Sequence, residues 1–219
     1  MLSYVYMKIL ESRPRRYDRG IRWLSLGQAD RVRREIVDRW VREGHRVLDC
    51  GTGTGLLALM AAAAGAEVVG IDVSAAMLAE AERKRQASPV GDRVRFIESG
   101  VAEMDTGFED ASFDLVTASL VMSELSDDEQ RWMLGQAHRV LGDGGRLVIA
   151  DETRPGGAGM RIVYELVRLP LAAAAFAATQ TSTSAVTGLE AKVLAAGFEI
   201  EAARTMTLGS FILLSARKP

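Results

Sequence analysis

A single cysteine, Cys50, occurs in the 219-residue chain. No internal disulfide can staple the fold, and a reducing, cytoplasmic setting is expected. The opening MLSYVYMKILESR has no basic n-region, no apolar h-region of sufficient length and no small-residue cleavage site, so a secretory leader is not expected either. Long apolar runs are also missing. The most apolar stretch, residues 159–178, is interrupted by Arg161, Glu165, Arg168 and Pro170, which argues against a membrane span. Net charge is only -2, and the arginines at 13, 15, 16, 19, 22, 31, 33 and 34 are not interleaved with several exposed-looking aromatics, a poor profile for a nucleic-acid binder.

What the chain does have is a globular composition, 48% hydrophobic and 26% charged, at a length suited to one domain with an embellishment. Its charge is uneven. Residues 1–46 carry 12 basic and 6 acidic side chains, against 15 and 23 in the remainder. These arginines are expected on solvated helix faces and paired against the acidic body, with an acidic partner protein as the alternative role for the basic face.

Residues 28–43 place Val32, Ile36, Val37, Trp40 and Val41 on one stripe of an amphipathic helix. RVLDC (46–50), the loop GTGTG (51–55) and LLALMAAAAGA (56–66) read as strand, turn and helix. EVVGID (67–72) repeats the strand signal and is followed by a helix with Ser74 as N-cap. Residues 93–99 and 113–121 are further strands. A Ser126 to Glu129 capping box opens the next helix, and a strand at 146–151 follows Gly144 and Gly145. This alternation predicts a doubly wound parallel α/β sheet with its ligand site beyond the carboxyl ends of the strands. A helix at 188–198 and strands at 199–206 and 209–218 complete the chain. Only Thr207 and Leu208 separate those strands, so a hairpin with an antiparallel last strand is expected. The organisation is one domain, with an N-terminal cover segment (1–27), a core (28–156), a helical insertion (157–186) and the C-terminal helix and hairpin (187–219).

The glycine loop joins a strand to a helix, and Asp72 ends the next strand. Gly53, Gly55 and Ala58 satisfy the dinucleotide fingerprint, with Asp72 about 20 residues on as ribose acceptor. Asp49 separates two cofactor readings. A carboxylate two residues before the first glycine repels a pyrophosphate seated on the helix N-terminus, yet attracts the α-ammonium and sulfonium of S-adenosylmethionine. An NAD-dependent oxidoreductase remains the alternative, as does a cofactor-binding sensor or interaction protein without turnover.

VLDCGTGTG (47–55), VVGIDVSAAML (68–78), FDLVTASLV (113–121) and AHRVLGDGGRLVIAD (137–151) together resemble the successive motifs of the class I S-adenosylmethionine-dependent methyltransferases. The resemblance covers most of the chain and implies a Rossmann-like sheet of about seven strands with the last antiparallel. It implies that Asp49, Gly51, Thr52, Gly53 and Gly55 hold the methionine end and Asp72 the ribose. Val73, Met77, Val101, Ala102 and Glu103 would surround the adenine, and Ser119 would complete the cofactor shell. Gly100, Val101 and Ala102 stand where that family commonly has Gly-Asp-Ala, with Glu103 as the substitute acid.

RPRRYDRGIRWLSLG (13–27) is similar to the N-terminal segment of the ubiquinone and menaquinone biosynthesis C-methyltransferases, and residues 3–20 resemble a corrinoid-protein-associated subgroup. Both place Tyr17 near the cofactor. Met122, Ser123, Glu124 and Leu125 replace the Gly-x-Arg-Asn turn of the quinone family. Arsenite methylation is excluded, because its thiolate ligands need several cysteines.

His45 precedes the first strand, on the wrong side of the sheet, and His138 lies in the helix before the fifth, so structural roles are expected for both. Tyr17, Glu124 and Asp151 are the candidate catalytic residues, with Glu152 and Tyr164 as further base candidates. The expected acceptor is a small or partly apolar molecule (quinol-like, phenolic or thiol) or a protein-bound metal centre. No metal site of the protein's own is expected.

Overall fold

The computed structural model describes residues 27–153, 186–206 and 211–219, together with Pro14, Tyr17, Asp18, Arg19 and Arg22. The expected helical insertion, its last residue Val186 apart, and Tyr164 lie outside these residues, as does most of the N-terminal cover segment.

In chain order the elements are α1 (Gln28–Trp40), β1 (Arg46–Cys50), α2 (Leu56–Ala63), β2 (Glu67–Asp72), α3 (Ala75–Gln86), β3 (Val94–Glu98), the single turn α4 (Met104–Gly107), β4 (Phe113–Ser119), α5 (Asp127–Val140), β5 (Leu141–Glu152), α6 (Leu189–Ala195), β6 (Glu199–Met206) and β7 (Phe211–Arg217). They build one seven-stranded sheet in the order β3-β2-β1-β4-β5-β7-β6. All neighbours from β3 to β5 are parallel, whereas β7 inserts antiparallel between β5 and β6, as the short hairpin connection predicted.

Strand alternation sorts the core into two layers. Val47, Val68, Leu115, Val148 and Leu213 face α1 and α2, whose Val32, Ile36, Leu57 and Ala61 cover them. Leu48, Cys50, Val116, Ile149 and Leu214 face the opposite way, onto Met133, Leu134 and Val140 of α5 and Val193 of α6. Cys50 is fully buried, and burial pushes its thiol pKa up, so it is a small core residue rather than a nucleophile.

Ser74 caps α3 by accepting from the Met77 amide, and the Ser126–Glu129 box closes in both directions at the start of α5. Two boundaries differ from expectation. β5 begins at Leu141 rather than at 146, because Gly144 and Gly145 exchange backbone hydrogen bonds with Lys218 instead of forming a free turn. β4 stops at Ser119, two residues early, because Leu120 adopts a left-handed φ of 61° and folds the chain over the sheet edge. That turn lies beside β1, where the strand order reverses, which is where open α/β sheets form their ligand crevice.

Candidate functional site

The glycine loop leaves β1 in a tight left-handed path. Gly51 has φ 67°, and a Cβ on it would come within 2.7 Å of Val121, so the loop and the β4 turn approach closer than any side chain allows. At Gly55, φ 74°, a Cβ would come within 2.4 Å of the Phe96 ring.

Two carboxylates hold this loop. Asp49 is 2% exposed and accepts the hydroxyls of Thr52 at 2.7 Å and Thr117 at 2.6 Å. Burial pushes its pKa from 3.8 up to about 6, against those hydrogen bonds and the nearby Arg33 cation. Asp72 accepts the Gly53 amide through one oxygen and the Ser74 amide through the other, each at 2.8 Å. A carboxylate has about four acceptor sites, so Asp72 still has capacity for a vicinal diol.

A cleft of about 370 Å³ opens above the loop, within the range of small-molecule sites. Its walls bring together Gly51, Gly53, Asp72, Val73, Met77, Val101, Ala102, Glu103, Ser119 and Glu124, with Tyr17 at one side. Val73 is 74% exposed, an apolar surface suited to cover by a flat ring. The Glu103 carboxylate accepts the Gly100 amide at 2.8 Å, which ties it into its own turn at the cleft wall.

A smaller chamber of about 40 Å³ adjoins the cleft, lined by Asp49, Thr52, Gly53, Ser119 and, unanticipated, Arg33. Arg33 was expected on a solvated helix face. It is instead 8% exposed, with its guanidinium on Asp30 at 3.1 Å. The signal was present in its position three residues before Ile36 and four before Val37, inside the buried stripe of α1. Asp49 shares the α1 side of the sheet with Val47, so an acid and a guanidinium line one small chamber. That pairing matches the ammonium and carboxylate of an amino acid. Together with the cleft it fits S-adenosylmethionine, which carries both groups and no phosphate.

Asp151 lies elsewhere. It faces the α5 layer, is fully buried and accepts the Ser123 and Glu152 amides at 3.2 and 2.7 Å. Burial pushes its pKa up to about 6. It therefore supports the 122–124 turn from beneath, while Glu124 on that turn is exposed at the cleft wall. Gly55 serves helix packing at the α2 N-cap rather than lining the cleft. Neither histidine lines the cleft: His138 packs edge-on against Phe198 at 5.0 Å, and His45 precedes β1. Among the described residues there is no metal-binding cluster, and no helix is long and apolar enough to cross a membrane.

The sheet order, the glycine loop and the paired acids define an S-adenosylmethionine-dependent methyltransferase of Rossmann-like fold. Residues 47–145 match the family model described as a methyltransferase domain. A demethylmenaquinone methyltransferase of Thermus thermophilus is 42% identical over 154 residues, 69% of this chain and 67% of the relative. One from Clavibacter sepedonicus is 33% identical over 218 residues, 93% of this chain and 86% of the relative. Among solved structures, an S-adenosylmethionine-dependent methyltransferase from Mesorhizobium loti superposes with a TM-score of 0.62 at 23% identity, covering 80% of this chain and 91% of its own. The cyclase SpnF superposes at 0.70 with 22% identity, covering 87% and 81%, so the fold alone does not decide the chemistry. The chain belongs to the class I S-adenosylmethionine-dependent methyltransferases, and S-adenosylmethionine is its methyl donor.

Proposed function

We propose that the protein methylates a ring carbon of a reduced demethylmenaquinone-type naphthoquinol. The observation that carries this reading is the identity, from 33% to 42%, with relatives named demethylmenaquinone methyltransferase over most of this chain. Apolar side chains of the cleft wall, among them Val121 and Leu125 beside Glu124, agree with an aromatic acceptor that carries a hydroxyl.

In this reading Asp49 holds the α-ammonium and Arg33 the α-carboxylate in the small chamber, and Asp72 takes the ribose diol. Val73, Met77 and Val101 flank the adenine, whose amino group meets backbone or Glu103 rather than an aspartate. The bound donor supplies an electrophilic methyl group on a sulfonium. The protein's main task is then proximity, holding the acceptor carbon in line with that methyl, a contribution of roughly 7 to 11 kcal/mol when orientation is good. Glu124 takes the proton of the acceptor hydroxyl, which makes the adjacent ring carbon nucleophilic. Methyl transfer to that carbon would leave the electron pair of the broken sulfur–methyl bond on a neutral thioether, and release of the displaced ring proton to water would restore aromaticity. Tyr17 closes the cleft side against water.

A panel of acceptors tests this: reduced and oxidised short-chain demethylnaphthoquinones, simple phenols and thiols, each assayed for S-adenosylhomocysteine release. Turnover confined to the reduced naphthoquinone supports the reading. Turnover of phenols or thiols with none on the quinol overturns it.

A further inference from the structure

Tyr17 lines both the main cleft and the small chamber, so its placement sets the boundary between them. The next residue anchors it. Asp18 accepts the Thr54 hydroxyl at 2.7 Å through one carboxylate oxygen and forms an ion pair with Lys84 through the other. Lys84 closes the ring by donating to the Thr54 carbonyl at 3.1 Å. Thr54 is 3% exposed and lies between Gly53 and Gly55 in the loop, while Lys84 belongs to α3. One carboxylate thus joins the Tyr17–Arg19 stretch, the cofactor loop and the helix that follows Asp72. With side chains only 27% and 18% exposed, the Asp18–Lys84 pair is better shielded from solvent than an ordinary surface ion pair.

We propose that Asp18 is a positioning residue for the cofactor: through Thr54 and Lys84 it locks the segment carrying Tyr17 onto the glycine loop, so that tight holding and slow release of the donor depend on this latch. The latch acts on the donor alone and its test uses no methyl acceptor, so its failure is distinguishable from that of the substrate proposal.

The test measures S-adenosylhomocysteine affinity by calorimetry and its release by stopped flow, in the full chain and in Asp18→Asn, Lys84→Met, Thr54→Val, Thr54→Ser and the Asp18→Asn/Lys84→Met double variant. The expected result is about tenfold faster release in each of the first three, the scale of a lost charge-assisted hydrogen bond. Thr54→Ser should behave like the parent, and the double variant should be no worse than either single. Tryptic cleavage after Arg19 should slow on ligand binding in the parent and not in Asp18→Asn, while the unliganded melting temperatures stay within a few degrees. Unchanged affinity and release in Asp18→Asn and Lys84→Met would overturn the proposal. So would a double variant whose effects multiply, since the two residues would then act independently.

Discussion

Asp49 and Asp72 stand near the ends of adjacent parallel strands and hold consecutive residues of one loop: Asp49 accepts the Thr52 hydroxyl at 2.7 Å and Asp72 the Gly53 amide at 2.8 Å. The loop is therefore shaped before any cofactor arrives, and the same two acids face the two chambers in which its polar parts would sit. Preorganisation of this kind lowers the ordering cost of binding.

That arrangement has a cost in the unliganded protein. Because burial raises the Asp49 pKa from 3.8 to about 6, the folded state holds its proton more tightly than the unfolded state, and stability falls as pH rises from about 4 through 6. At neutral pH, Asp49→Asn is expected to stabilise the unliganded protein by on the order of 2 kcal/mol while weakening the cofactor by at least ~1 kcal/mol. Denaturant unfolding and calorimetry on the same two proteins check both signs.

Affinity should also depend on pH. An ammonium beside Asp49 favours its ionised form, so binding of S-adenosylhomocysteine should tighten as pH rises through about 6 and level off above it. Asp151 titrates in the same region, and the comparison that separates the two is simple: Asp49→Asn should flatten the profile and Asp151→Asn should preserve it.

Arg33→Met is expected to weaken S-adenosylmethionine by about 1.5 to 3 kcal/mol through loss of a charged hydrogen bond. A decarboxylated analogue of the donor should bind parent and variant alike. Equal losses for both ligands would mean that Arg33 only packs α1.

Glu124→Gln should lower kcat by about 100-fold or more with cofactor affinity retained, the scale of a lost general base. Asp151→Asn should act mainly on stability, because Asp151 supports the 122–124 turn through the Ser123 amide and does not reach the cleft. Initial rates with saturating donor distinguish the two outcomes.

Gly55→Ala is expected to destabilise the fold by about 2 kcal/mol or more, combining a left-handed backbone with a Cβ 2.4 Å from Phe96. Phe96→Leu in the same chain should recover part of the loss, and thermal unfolding reads both.

The parallel half of the sheet was legible because each strand is an apolar run bounded by glycine or a cap, and the Asp49, glycine and Asp72 spacing is local to two such boundaries. The antiparallel β7 followed from a connection too short for a crossover. Arg33 was missed because a charged residue at a core-facing helical position is ordinarily read by its type; its helical register and the Asp30 partner are local, but the chamber beside Asp49 is a tertiary contact. The early end of β4 escaped for a similar reason: Leu120 carries no sequence mark of a left-handed turn, and tertiary contact with β5 holds it there through its amide on the Ala150 carbonyl. Asp151 sits at the correct edge of the sheet, but strand alternation turns it toward α5 and away from the donor chamber.

The proposed carbon methylation of a naphthoquinol is decided by incubating the protein with donor bearing an isotope-labelled methyl group and reduced demethylnaphthoquinone, then reoxidising the product before mass and NMR analysis. The expected product is a labelled quinone with the methyl on the ring carbon, formed by the parent and, at a rate lower by about 100-fold or more, by Glu124→Gln. A labelled product that resists reoxidation would carry its methyl on oxygen and contradict carbon methylation, as would the absence of any label in the quinone.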